Sequence, residues 1–397
     1  MKLFGDIPVC GDPIDQGALK QIQRTRAVCD RAALMADHHK GYGVPIGGVM
    51  ACREHISPTA VGYDIACGNK AVLTDALASD VKSGIGRIMD DIAKQISFGL
   101  GRISGWDIDH PMFDSPLWAD MEALQQTGKG GRPLKDAARR QLGTVGSGNH
   151  YVDLFVDEQE RVWIGVHFGS RGLGHKIATF FLEAANAGKG MEADPALLSI
   201  SSSIGEDYLQ CMELAGQYAY AGRDAVCSKV LEILGARSVQ EVHNHHNFAW
   251  RETHGGVDYW VMRKGATPAF PGQKGFVGGS MGDNSVILQG VESKESKELL
   301  YSTVHGAGRV MSRTKAHGKN YKGKQMFKPG ISREEMMAWV RRSGVELRGA
   351  DVDEAPQAYK RLHEVLPAQG PTIKVLHTLR PIGVAMAGSD VEDPYKD

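Results

Sequence analysis

Six glycine-rich clusters hold the side chains able to do chemistry. The first is the string DHHKGYGVPIGG, residues 37–48, followed by Val61-Gly62-Tyr63-Asp64-Ile65-Ala66-Cys67-Gly68. Asp64 and Cys67 stand three apart among glycines, a spacing that lets a carboxylate and a thiolate converge on one metal region. A buried, inert thiol is the alternative. The second cluster, Gly143-Thr144-Val145-Gly146-Ser147-Gly148-Asn149-His150, runs into an apolar strand. Exposed loop amides beside Asn149 and His150 suit phosphate contact and metal ligation. The loop is no Walker motif, because no Gly-Lys-Ser/Thr follows, and no dinucleotide fingerprint, because it precedes a strand.

The third cluster, His167-Phe168-Gly169-Ser170-Arg171-Gly172-Leu173-Gly174-His175, follows a strand and opens a helix. Helix amides there favour an anion and Arg171 adds fixed charge, though a plain glycine turn has the same form. The fourth, His243-Asn244-His245-His246-Asn247, lies in a strand or at its exit. Alternation sends His245 and His246 to opposite faces, so only some of these imidazoles can share one ion. The fifth and sixth, Arg263-Lys264-Gly265-Ala266-Thr267 with Gly278-Gly279-Ser280-Met281-Gly282, and His305-Gly306-Ala307-Gly308-Arg309 through Arg313, supply cations at glycine turns. A histidine followed by small residues leaves room for a bulky electrophile, and Arg309 and Arg313 fall one turn apart if that stretch is helical. A nucleophile, cations for phosphate oxygens and metal ligands together make a metal-assisted phosphoryl or nucleotidyl transfer site.

Elements must hold these clusters. Helical spacing predicts an amphipathic helix over 13–36, a longer one over 206–234, and shorter ones over 176–187, 333–342 and 354–366. Apolar runs predict strands at 44–51, 151–155, 162–167, 257–262 and 286–288. Without a regular strand–helix beat, this is a mixed α/β, α+β chain rather than a doubly wound sheet. No repeat, linker or low-complexity segment divides the 397 residues, so one large domain, 1–397, is expected. Segment 106–135 reads as a surface excursion and 389–397 as an acidic tail. The 49 glycines exceed ordinary usage and fall in clusters, as tight turns around a ligand require. The N-terminus has no signal-peptide pattern and no window reaches eighteen apolar residues, so no membrane and a cytoplasmic location are the expectation. Six cysteines without CxxC spacing exclude a zinc ribbon and a disulfide framework. A net charge of -1 excludes indiscriminate nucleic-acid coating, although Arg309–Lys328 holds seven Lys or Arg and no acid.

The strings DHHKGYGVPIGG, VGYDIACG, GTVGSGNH, HFGSRGLGH, HHN, RKGAT, GGSMG and HGAGRVMSRT, in this order, closely resemble the RtcB RNA-splicing ligases. The first thirty residues, 106–135 and the tail fall outside the match. The resemblance implies an RtcB-like domain with a deep metal-containing cleft, two manganese ions and GTP as cofactors, and a covalent histidine–guanylate. It implies that Cys67 bridges both ions, with His167 and His246 on one and Asp64 and His150 on the other. His305 is then the nucleophile that takes guanylate from GTP and passes it to an RNA 3′-phosphate, opened first from a 2′,3′-cyclic phosphate where needed. A 5′-hydroxyl end displaces it. Asn149, Arg171, Lys264, Arg309 and Arg313 match phosphate-binding positions, Gly306, Ala307 and Gly308 surround the nucleotide, and Ser280 and Tyr359 match base-contacting ones. Expected partners are RNA ends, such as tRNA halves or damaged RNA, and an accessory activating protein. A thiolate is softer than manganese prefers, so zinc or cobalt should bind at least as tightly.

The chain departs from the family where the base is read. Many relatives finish on a lysine–glycine pair whose ammonium lies against guanine; here the stretch is Pro381 to Gly388, without lysine, and Asp153 stands where a glutamate is expected. Competing readings are an RtcB-like nucleotidyltransferase or phosphodiesterase acting on another acceptor, and a non-catalytic RNA-binding module. His38, His39, His175, His243, His245, His254, His317, His363 and His377 read as structural or surface residues.

Overall fold

A computed structural model describes residues 1–188, 190–321 and 324–389, so the acidic tail beyond Ser389 lies outside the described residues. The side chains of 319–327, the middle of the basic run, lie outside them too. The fold is mixed α and β. One antiparallel-rich sheet of six strands runs in the order Lys2–Phe4, Ile7–Val9, Arg31–His39, Ile46–Cys52, Val257–Lys264, Asn247–His254. A larger sheet of eight runs Ser238–His245, Gly68–Leu77, Arg161–Phe168, Tyr151–Asp157, Ile373–Gly388, Ser285–Gly290, Lys274–Val277, with Glu346–Ala350 beside Ile373–Gly388.

The larger sheet is covered on both faces, which is why its strands read as unbroken apolar runs rather than alternating ones. Val152, Leu154 and Val156 pack with Val162, Ile164 and Val166 against Met89 and Ile92 of the helix Ala78–Gln95 and Val226 and Val230 of the helix Ser203–Leu234. Tyr151 and Phe155 point the other way, to Phe276, Ile287 and the helix Arg333–Arg342. No described helix is long and apolar enough to cross a membrane.

Two predicted helices change. The helix expected over 13–36 is Gln16–Arg26 alone, capped by Asp15, whose side chain accepts from the Ala18 amide at 2.7 Å. The following Arg31–His39 is a strand in which Ala32 to His38 are all buried. A continuous apolar run lacks the polar face that separates helix from buried strand, and pairing with Ile46–Cys52 decides it. The helix expected over 354–366 becomes two short turns, Val352–Glu354 and Pro356–Ala358, then the helix Leu362–Ala368. Pro356 cannot donate a backbone hydrogen bond and interrupts it. Segment 106–135 carries short helical turns and buries Met112, Phe113, Trp118 and Leu124 in the core shared with Arg171–Ala184 and Ser203–Leu234.

Candidate active site

Strand register brings four segments to one end of the larger sheet. Gly68 lies opposite both Phe168 and His245, and Tyr151 lies opposite His167. Cys67 just before one strand, His150 just before another, His167 near the end of a third and His246 just after a fourth therefore share one rim. Asp64 joins from the turn before Cys67. Cys67 Sγ stands 3.3 Å from His167 Nε2 and 3.7 Å from His150 Nε2. His167 Nε2 is 3.3 Å from His246 Nε2, and His150 Nε2 is 3.1 Å from Asp64 Oδ2. Cys67, His167 and His246 form one group able to hold an ion, and Asp64, Cys67 and His150 a second that shares the thiol.

The tautomers say what this cluster lacks. His167 Nδ1 donates to the Asn149 carbonyl at 3.0 Å and His150 Nδ1 to the Val145 carbonyl at 3.1 Å. Each proton is thereby spent on Nδ1, leaving both Nε2 lone pairs aimed inward, the usual arrangement behind metal-ligating imidazoles. Burial, then the neighbouring His150, pushes His167 down to about 3, so it stays neutral. Burial and then the Asp64 charge push the Cys67 thiol well up. Inward lone pairs of His150 and His167 beside a thiol and a carboxylate suit a cation, and a nitrogen, sulfur and carboxylate set fits a borderline divalent ion. A third convergence, Asp157, Glu158 and His377, is different, because Arg161 already lies 2.7 Å from Asp157 and 3.3 Å from the His377 ring.

His305 faces this rim from the strand Ser302–Val304, its ring centre 4.9 Å from that of His246. Its Nδ1 is held by Asp37 Oδ2 at 2.6 Å, and the same oxygen accepts from the amides of His305 at 3.0 Å and Gly306 at 3.3 Å. Burial raises the Asp37 carboxyl, yet the hydrogen bonds from the His305 ring and amide and the Lys360 charge hold it below the ordinary range. With Nδ1–H committed to that carboxylate, the reactive lone pair lies on Nε2. Gly308, at φ 77°, is needed where it stands: a Cβ would collide with the Asp37 carbonyl. Asp37 was not singled out from sequence. It stands one residue past the segment 13–36 that was expected to be helical, and only the strand Arg31–His39 carries it under His305.

The cations do not all gather. Arg309 and Arg313 converge on Asp353, Glu354 and Tyr359, although residues 309–312 are not helical. Arg309 Nη1 donates to Tyr359 Oη at 2.8 Å and Nη2 to the Asp353 carbonyl at 2.7 Å, with the guanidinium 4.8 Å from the Tyr359 ring centre. Arg313 pairs with Asp353 at 3.2 Å and with Glu354. Arg171, in the left-handed region at φ 57°, lies over Gly146, where any Cβ would strike its guanidinium. Lys264 instead donates to the carbonyls of Tyr42 at 2.7 Å and Thr59 at 3.1 Å, and burial pushes its ammonium down to about 7. Ser280 donates to Asp283, which also pairs with Arg361. Asp153 is buried with Oδ1 unpartnered, and burial holds its carboxyl well above the usual range. Val384 and Met386 stand opposite Asp153 and Tyr151 on the neighbouring strand.

Comparison with known proteins agrees with this geometry. The sequence profile described as tRNA-splicing ligase RtcB matches residues 18–387. An RNA-splicing ligase RtcB from Escherichia coli K12 is 33% identical over 402 aligned residues, covering 94% of each chain. The tRNA-splicing ligases RtcB of Thermococcus kodakarensis and Archaeoglobus fulgidus are each 32% identical, covering 89% of this chain and 86% of their own. The ordered clusters, the rim of imidazoles around one thiol and a match over nearly the whole length agree: this chain belongs to the RtcB family.

Proposed function

We propose that this chain is an RNA ligase that joins RNA 3′-phosphate or 2′,3′-cyclic phosphate ends to 5′-hydroxyl ends, using GTP through a guanylate carried on His305. The observation that carries the reading is the Asp37–His305 contact, which presents Nε2 as a bare nucleophile beside the metal-ligand rim. Family membership supports RNA as substrate; the relatives are named as RNA- or tRNA-splicing ligases.

Nε2 of His305 attacks the α-phosphorus of GTP, an N–P bond forms, the bond to the bridging oxygen breaks and pyrophosphate leaves. An oxygen of the RNA 3′-phosphate then attacks the guanylate phosphorus and frees His305. The 5′-hydroxyl attacks the activated 3′-phosphate and GMP departs. Asp37 fixes the tautomer and stabilises the charged imidazole as it forms, the role a carboxylate plays behind other catalytic histidines. Asp64, Cys67, His150, His167 and His246 would hold two divalent ions, with manganese as the ion the resemblance implies. Such ions supply Lewis-acid stabilisation of charge on phosphate oxygens. Arg309, Arg313 and Arg171 act on the same charge, and Asn149 sits between the glycine loop and His167. Ser280, Tyr359, Asp153 and Gly306–Gly308 line the nucleotide side.

Incubation with α-labelled GTP and manganese tests this reading. The expected result is an acid-labile, alkali-stable label on wild-type protein that is absent from His305→Ala. A protein that stays unlabelled across manganese, cobalt and zinc overturns it. Label without joining of RNA ends would mark a nucleotidyltransferase with another acceptor. RNA binding without label would mark a binding module.

A further inference from the structure

Directly behind the ligand rim, the helix Ser203–Leu234 carries Arg223, whose side chain is wholly removed from solvent. Its guanidinium reaches four acceptors. Nη1 donates to the carbonyls of Ala66 at 3.0 Å and Phe168 at 2.6 Å, Nη2 to His245 Nδ1 at 3.0 Å, and Nε to His243 Nε2 at 2.7 Å. Three of the four belong to residues next to a rim residue: Ala66 precedes Cys67, Phe168 follows His167, and His245 precedes His246.

A guanidinium only donates, so His243 Nε2 accepts and the His243 proton lies on Nδ1, 3.4 Å from Asp224 Oδ1. His245 Nδ1 lies 3.1 Å from the Ala66 carbonyl as well as 3.0 Å from Arg223 Nη2; where it accepts from the guanidinium, its proton lies on Nε2. Burial first, and the Arg223 charge second, push both histidines below their usual range, in keeping with neutral acceptors. Arg223 makes no ion pair with a carboxylate among the described residues. The nearby Asp224 and Glu241 are taken by Lys70 at 2.7 and 2.8 Å.

An unpaired buried cation costs several kcal/mol of desolvation, and beside a site for metal cations it adds repulsion. A neutral side chain would fill the space without either penalty. What arginine alone offers is a rigid planar fork that binds several acceptors in fixed directions, which lysine cannot copy.

We infer that Arg223 is a positioning residue for the metal centre: its fork ties the segments of Cys67, His167 and His246 at one spacing, acting through the adjoining carbonyls and His245. The inference rests on the reading of those three residues as metal ligands.

Cobalt titration of the metal-stripped protein tests it, following the thiolate-to-cobalt absorption, the d–d bands, the stoichiometry and the melting temperature of the metal-free form. Wild-type protein should show the thiolate band, and Cys211→Ala, a core change on the same helix, should match it. Arg223→Lys keeps the charge and loses the fork. It should bind cobalt about 10- to 100-fold more weakly, as loss of a group that orients metal ligands does, with altered d–d bands. Wild-type affinity and bands in Arg223→Lys would overturn the inference while leaving the ligand reading intact. A wild-type protein without the thiolate band would overturn both. Should Arg223→Lys fail to fold, His245 decides: weakened binding in His245→Leu with recovery in His245→Gln, which keeps an acceptor, supports the role. Equal, wild-type binding in both overturns it.

Discussion

The metal rim and the arginine patch are both polar and both partly buried, yet they are built on opposite principles. Around Cys67 imidazoles, a thiol and a carboxylate are drawn together by strand register, with no lysine or arginine in either ion-holding group. Around Arg309 and Arg313 each charge already has its counter-charge in Asp353 and Glu354. The first region is assembled as a set of ligands that an ion could complete, as the proposed function requires. The second is complete, so an incoming phosphate must compete with carboxylates for the same guanidinium protons. Binding there is an exchange, whereas binding at the rim is a filling.

Removing a rim ligand is expected to have the largest effect. Cys67→Ala should abolish metal stoichiometry and His305 labelling while lowering metal-free stability by only about 1 kcal/mol, the scale of an ordinary single substitution. Cys29→Ala and Cys211→Ala should keep both metal and label. Metal analysis beside denaturant unfolding checks this, and equal losses in all three would erase the contrast. Next, Asp37→Asn should leave metal content unchanged but slow labelling by about 10²- to 10⁴-fold, since an amide cannot hold the imidazole in the productive tautomer. Single-turnover labelling measures it.

Glu354→Gln should behave in the reverse sense to Cys67→Ala. It leaves Arg313 short of a buried counter-charge and should lower stability by about 1 to 3 kcal/mol while label still forms. Thermal and denaturant unfolding without metal or nucleotide reads this directly; unchanged stability would mean the patch is as unfilled as the rim. The smallest effect is expected from Met386→Lys. On the face shared with Asp153, a lysine would pair with the unpartnered carboxyl and lie over the base, a cation–π contact of about 0.5 to 2 kcal/mol. Competition of GTP with ATP and dGTP for labelling should show selection sharpened by that amount.

The contrast also explains what could be read from sequence. The rim residues were legible because each sits in a glycine-flanked string and thiol, imidazole and carboxylate types have few joint uses. Asp37 was not, for its role depends on residues 31–39 being a strand, and an apolar run without a polar face looks the same either way. Arg309 and Arg313 were legible as cations beside a glycine turn. Their pairing with Asp353 and Glu354 was hidden, because ion pairs between distant segments leave no periodic trace. Arg223 lay within an expected helix as one more polar residue, and burial alone distinguishes it. Of the histidines set aside as structural, His243 and His245 are structural in a specific sense, as acceptors for that guanidinium.

The convergence of four strand ends on one rim has a kinetic side. Cys67, His150, His167 and His246 become neighbours only after Gly68–Leu77 has paired with both Arg161–Phe168 and Ser238–His245, contacts between segments remote along the chain. Closing such long loops is slow and comes at the end of assembly. A nascent chain released before residue 246 lacks one of the two ion-holding groups altogether. Filling of both groups therefore reports that synthesis has passed the middle of the chain and that the large sheet has closed in register, and a refolding experiment should find full cobalt stoichiometry among the last signals to appear.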